Sequence, residues 1–155
     1  MQSSKYLFIF VVVALSAPLF AATPEDQIKF RQSAMMYLRY NMGVIKKQVV
    51  TNPDAMDRQK VIRASKTIDA IAQSDLATLF NRHSATGAGW KKTKVKPAYF
   101  RESGNVQQKY RTFRAHAKRL VLTANNANAT TIKRQFSHLL NACKSCHKAY
   151  RAKVR

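Results

Sequence analysis

Cys143-Lys144-Ser145-Cys146-His147 holds the only two cysteines of this 155-residue chain. C-x-x-C-H is the attachment signal of a c-type haem. Each thiol can add to one vinyl group, giving two thioether links, and the next residue's imidazole then lies within reach of the iron. The other residues must hold, orient and tune a bound porphyrin. Competing chemistries fit the pentapeptide less well. A zinc site needs four ligands, usually in two spaced pairs. Here there is no second cysteine pair, and His83, His116 and His138 fall in no paired pattern. A thioredoxin-like motif opens a helix beside a strand, and no strand pattern is visible. A disulfide across two intervening residues inside a helix would be strained.

Four segments carry apolar residues at steps of three and four, the period of a helical face. The first opens at Thr23-Pro24-Glu25-Asp26, with an N-capping hydroxyl, a proline suited to the first turn and acids at the positive end of the helix dipole. Its face runs through Ile28, Arg31, Met35, Leu38, Met42, Ile45 and Val49, ending near Thr51-Asn52. Asn52-Pro53 is expected to cap the second, with Val61, Ser65, Ile68, Ala72 and Leu79 on one face. Residues 81–96 read as a loop containing Gly87, Gly89, Trp90 and several lysines. Pro97-Ala98-Tyr99-Phe100 leads into the third helix, whose face is Val106, Tyr110, Phe113, Ala117, Leu120 and Ala124. Asn125-Asn126 breaks that pattern. The fourth starts near Ala129 or Thr130, with Ile132, Phe136, Leu139, Leu140 and Cys143 facing inward. Cys143, Cys146 and His147 stand at i, i+3 and i+4, so one helical face presents all three to the same haem. The expected fold class is all-α: an antiparallel four-helix bundle with one covalently attached haem.

The N-terminus reads as an export signal. Lys5 supplies charge, Tyr6 to Leu15 is almost unbroken apolar sequence, and Ser16-Ala17-Pro18-Leu19-Phe20-Ala21-Ala22 offers a small-residue processing site. The run is shorter than the roughly 20 residues of a membrane span. Residues 1–21 are therefore expected to be a cleaved signal peptide, residues 22–155 the bundle, and the location periplasmic. Of 28 Lys and Arg only Lys5 lies in the signal, so 27 face all 7 Asp and Glu beyond it, a net +20. Such an excess should attract an acidic redox partner or anionic lipid. The basic residues are spread along every segment, not gathered in a stripe with aromatics, so nucleic acid is not an expected partner.

The chain resembles the class II c-type cytochromes, the cytochrome c′ family. Cys143-Lys144-Ser145-Cys146-His147-Lys148-Ala149-Tyr150-Arg151 is similar to the family's haem box. Pro24 to Ser33 looks like its first helix, and Lys96-Pro97-Ala98-Tyr99-Phe100 is similar to its lead into helix three. The resemblance runs through essentially all of residues 22–155 in the same order. It implies haem c bound covalently by Cys143 and Cys146, and iron bound by His147. It places Arg31 near a haem propionate and Arg151 beside the proximal histidine. It also implies a homodimer through helices one and two.

By the same resemblance, Met35 faces the open side of the iron. If its sulfur is the sixth ligand, as in the low-spin relatives, the protein is an electron carrier. Two axial ligands then keep geometry nearly constant, and methionine raises the potential. Asn41-Met42-Gly43-Val44-Ile45 is similar to the His/Met-ligated members and favours this reading. If Met35 only fills core, which methionine does well, the iron is five-coordinate and high-spin. The apolar distal face then admits only small uncharged ligands such as nitric oxide or carbon monoxide. Peroxidase-type catalysis would want a distal acid–base residue. Helix one offers none beside Met35, and the chain is not expected to be an enzyme.

Overall fold

The computed structural model describes residues 22–153; the expected signal peptide lies outside them. Its helices are α1 (Pro24–Lys46), α2 (Arg58–Gln73), α3 (Ala98–Arg101), α4 (Ser103–Asn126) and α5 (Ala129–Tyr150). α1 packs on α2, α2 on α4 and α4 on α5. With the one-turn α3 as a connector, the architecture is the antiparallel four-helix bundle. Among the described residues, β pairing is limited to two isolated bridges, Ala88 with Lys92 and Val95 with Arg151. No described helix is long and apolar enough to cross a membrane.

α1 begins where its caps dictate. The Thr23 hydroxyl accepts from Asp26 N–H at 3.1 Å, and the Asp26 carboxylate accepts from Thr23 N–H at 3.3 Å. Two of the helix's orphan donors are thus satisfied reciprocally. Beyond Lys46 the chain widens into a π turn, Lys47–Thr51, which carries Gln48 and Val49 into the interior.

The start of α2 differs from the expected one. Asn52 makes no side-chain cap, and Pro53 opens only a short 3₁₀ turn, Pro53–Ala55. Asp57 is the N-cap, its carboxylate accepting from Lys60 N–H at 3.1 Å. Gln48 on the π turn accepts from Asp57 N–H at 2.8 Å, which ties the entry of α2 to the end of α1. Leu79 is likewise not on α2, which stops at Gln73; it closes a separate 3₁₀ turn, Leu76–Leu79. α5 starts at Ala129, capped by the Asn128 side chain on Thr131 N–H at 2.9 Å.

The main core joins all four long helices: Ile45 and Val49, Val61 and Ile68, Leu120, and Ile132 and Leu139 are fully buried. Each such side chain contributes roughly 1.5–3 kcal/mol over an exposed one.

The loop after α2 is fastened to α1. Gln32 Nε2 donates to Lys91 O at 2.7 Å, Lys91 N–H returns a bond to Gln32 Oε1 at 3.2 Å, and Trp90 Nε1 donates to Ser33 Oγ at 3.0 Å. Gly89 permits this approach. A Cβ there would stand 2.7 Å from Lys29 N, a backbone atom with no room to yield.

Candidate haem site

The C-terminal part of α5 supplies the ligating groups. Cys143 and Cys146 are half-buried free thiols, and His147, which is exposed, follows on the same helical face. Burial, reinforced by Cys146, pushes the Cys143 thiol up to about 11. Burial also raises Cys146, against the opposing charge of Lys109. Both sulfurs therefore stay protonated at neutral pH, unlike the low-pKa thiolate of a disulfide-exchange pair. His147 is held below its ordinary value by the surrounding protein and then by the charge of Arg151. Its imidazole is neutral at pH 7, the form that coordinates a metal.

Cys146 packs into a second, aromatic cluster with Tyr99, Val106 and Tyr150. The Tyr99 ring stacks on Phe80 at 4.9 Å and meets Tyr150 edge-on at 5.7 Å. Its hydroxyl lies 3.3 Å from that of Tyr110. Burial raises both phenols, which remain neutral donors. Tyr150 donates to Glu102 at 2.9 Å, joining the end of α5 to the break between α3 and α4. Residues 94–96 run beside the same end: Lys96 N–H donates to Tyr150 O and Ala152 N–H to Lys94 O, both at 2.8 Å. The helical turn bearing His147 is thus fixed from outside α5 as well as within it. Val95 and Phe80 belong to this setting and carry no periodic signal, because they sit in loops.

Arg31 is 3% exposed, on the inner face of α1. Its Nη1 donates to Leu79 O at 3.0 Å and to Ser84 Oγ at 2.6 Å. Its Nη2 donates to Ser84 O and Thr93 Oγ1, both at 2.7 Å. The guanidinium also lies over the Phe80 ring at 4.9 Å. Four of its five N–H groups are committed to the α2–α3 loop, and Nε–H is the donor left over. Among the described residues no carboxylate pairs with this buried cation. Nearby on α1, Gln27 Oε1 is buried without a partner. Arg151 is exposed at the end of α5, bridged to Val95, with its charge felt by His147.

Met35 is half-buried against the main core, as is Met42, whereas Met36 is 67% exposed. Trp90 lies on the outer surface of α1 and is 67% exposed. His116 and His138 stack on each other, α4 against α5, and are not among the residues that surround Cys143 and Cys146.

A neutral imidazole, two protonated thiols on the same face, an apolar aromatic lining and a buried cation without a counter-ion together fit a haem. Among the described residues no three His, Cys, Asp or Glu side chains converge as a protein-only metal site would require.

Comparison with known proteins agrees. The family model described as Cytochrome C' matches residues 26–151. A cytochrome c′ of Rhodocyclus tenuis is 36% identical over 132 residues, covering 85% of this chain and 98% of that protein. One from Allochromatium vinosum is 35% identical over 141 residues, covering 91% and 90%. In three dimensions the chain superposes with a TM-score of 0.80 on a 1.8 Å structure of a cytochrome c′ that shows unusual ligand-controlled dimer dissociation; the two are 34% identical over 86% of this chain and 99% of the other. With its C-x-x-C-H on the last helix of a four-helix bundle, this chain belongs to the cytochrome c′ family and is a covalent haem c protein.

Proposed function

We propose that this protein is a five-coordinate haem protein that binds small uncharged gases, nitric oxide or carbon monoxide, on the distal side of the haem. The observation that carries this reading is the match to cytochrome c′ over residues 26–151, at 36% identity to one relative. It takes precedence over the electron-carrier reading with Met35 as sixth ligand. The packing of Met35 among core side chains is the role methionine plays with no metal bond at all. Iron held by His147 alone would leave a coordination position for a neutral diatomic molecule.

The chain's residues do the rest. Cys143 and Cys146 anchor the porphyrin, and His147 presents a neutral imidazole whose backbone is pinned by Tyr150 and residues 94–96. Met35 narrows the distal side and keeps it apolar, which disfavours anions and water. Arg31 and Arg151 offer positive charge for the propionates and the proximal side.

A visible spectrum of the reduced protein with and without carbon monoxide tests this. The expected result is a high-spin ferrous spectrum that shifts on adding the gas. Met35→Ala should remain high-spin and take up carbon monoxide faster, on the order of tenfold, equivalent to about 1.4 kcal/mol of barrier. A wild type that is already low-spin and inert to carbon monoxide, and becomes high-spin only in Met35→Ala, would restore the electron-carrier reading.

The same samples report on assembly. α1 exposes Met36, Tyr37 and Tyr40, at 67%, 53% and 65%, with the two tyrosine rings stacked at 6.1 Å. This surface supports a homodimer through α1. The solved relative whose dimer dissociates under ligand control supports coupling between gas and assembly. Sedimentation velocity should show a dimer that dissociates when carbon monoxide is added.

Residues 1–21 support export to the periplasm, where haem attachment occurs. The net +20 beyond them supports encounter with an acidic redox partner that sets the oxidation state. Exposed charges reach only about 8 Å at physiological salt. Electron exchange with such a partner should therefore slow steadily as ionic strength rises, and a salt-independent rate would remove the steering.

A further inference from the structure

Away from the haem site, a pocket of 430 Å³ opens between α4 and α5. Small-ligand sites span roughly 300–1,000 Å³ and are mostly apolar. This one is lined by polar and cationic side chains. α4 contributes His116, Arg119 and Thr123, at i, i+3 and i+7 on one stripe. The antiparallel α5 contributes Thr131, Arg134 and His138 with the same spacing in the opposite order. Threonine therefore faces the threonine end of the pocket and histidine the histidine end, with an arginine from each helix between them. On α5 the pocket runs from Thr131 to His138, and its near end stops five residues before Cys143, about 7.5 Å along the helix at 1.5 Å per residue.

Three observations give the pocket a ligand class. First, neither α4 nor α5 contains a single Asp or Glu. Among the described residues neither guanidinium meets a carboxylate. Arg119, Arg134 and His138 are exposed at the mouth of the cleft, and a bound anion would lower the repulsion between the two like charges there. Second, the pocket floor is built. Gln135 is 8% exposed and its Nε2 donates to His116 O at 3.1 Å, which identifies that atom as the amide nitrogen. The same nitrogen lies 3.4 Å from His116 Nδ1. Third, the two imidazole rings are held parallel, 12° apart at 5.6 Å. A divalent cation would have to enter between two arginines, so two stacked histidines are poorly placed as metal ligands here. The Thr131 N–H is already taken by Asn128, so side chains and not the helix end would do the binding.

We infer that the α4–α5 seam is a binding site for a free phosphate-type oxyanion, held by the forks of Arg119 and Arg134 and by donors from His116, Thr131 and His138. Arginine forks match such oxygens bidentately. Donors on two opposite walls suit a tetrahedral group with three or four acceptor oxygens better than a planar carboxylate.

Isothermal titration of the holoprotein with inorganic phosphate in a chloride background tests this. Arg119→Gln with Arg134→Gln should weaken binding by at least about tenfold, the loss expected when charge-assisted bonds go. Lys118→Gln with Lys133→Gln removes two exposed positive charges from the same helices but not from the pocket. It should change binding less than about twofold, because these lysines, exposed like Arg119 and Arg134, do not line the cleft. Equal weakening in both double variants would reduce the effect to general charge and overturn the site. So would the absence of saturable phosphate binding in the wild type. Tighter seam-dependent binding of nickel ion than of phosphate would replace the oxyanion site with a metal site. Vesicles of phosphatidylcholine with anionic phosphatidylglycerol separate the sources. Seam-dependent sedimentation with vesicles, without saturable binding of inorganic phosphate, would assign the pocket to a lipid headgroup and overturn the free-ligand form.

Discussion

Replacing Cys143 and Cys146 together with serine is expected to abolish covalent haem. The exported double variant should give a protein band and no haem stain after denaturing electrophoresis, while wild type gives both. The loss should be complete, because each thioether is a covalent bond and no third cysteine exists to form another. Each single variant should keep one link and a weaker stain. Serine differs from cysteine by one atom at positions that are only half-buried, so helix formation in α5 is not what the test reads. His147→Ala separates attachment from ligation. It should leave the stain on the gel and change the spectrum of the native protein. A haem-stained band in the double variant would overturn the assignment of these two sulfurs.

The second large effect belongs to Arg31. Arg31→Leu keeps an apolar stem on the inner face of α1 and deletes the guanidinium. The carbonyls of Leu79 and Ser84, with the hydroxyls of Ser84 and Thr93, then lose their donors at once. Breaking a buried, charge-assisted network typically destabilises by about 3–5 kcal/mol. For a domain of this size that corresponds to a fall in melting temperature of about 10 °C or more. Thermal unfolding of the holoprotein followed by far-UV circular dichroism measures it. Arg31→Lys should recover little, since an ammonium group cannot span four acceptors held in a fork. A melting temperature within about 2 °C of wild type would mean that the network contributes little. The haem Soret band of the same variant reads the propionate role separately, because the loop network is saturated by Nη1 and Nη2 and only Nε–H is left to face an anion.

These two sites also mark where sequence reading works and where it stops. C-x-x-C-H is legible because its three groups lie within two helical turns, so helical geometry alone brings them to one face. The core positions Ile45, Ile68, Leu120 and Ile132 are legible for the same reason, as each repeats at the period of its own helix. Arg31 stands on that inner face in the sequence too, but its partners lie 48, 53 and 62 residues away in a loop with no periodicity. Asn52-Pro53 reads as the start of α2 because asparagine and proline are local signals, whereas the helix begins after Asp57. What selected Asp57 was a carboxylate that accepts from Lys60 N–H and a backbone N–H that donates to the Gln48 side chain.

The α4–α5 seam shows the same division. His116, Arg119 and Thr123, and Thr131, Arg134 and His138, are visible as helical stripes, yet on one strand of sequence each reads as a solvated face. Antiparallel packing of α4 on α5 brings the two stripes together and leaves two arginines lining one cleft. The sequence alone determined the covalent cofactor, the helical class and the composition of each face, since these depend on residues a few positions apart. The tertiary structure decided which faces meet, what satisfies the buried cation and which loop is fastened to which helix. Those depend on contacts between residues distant in the chain, where burial makes every unpaired polar group costly.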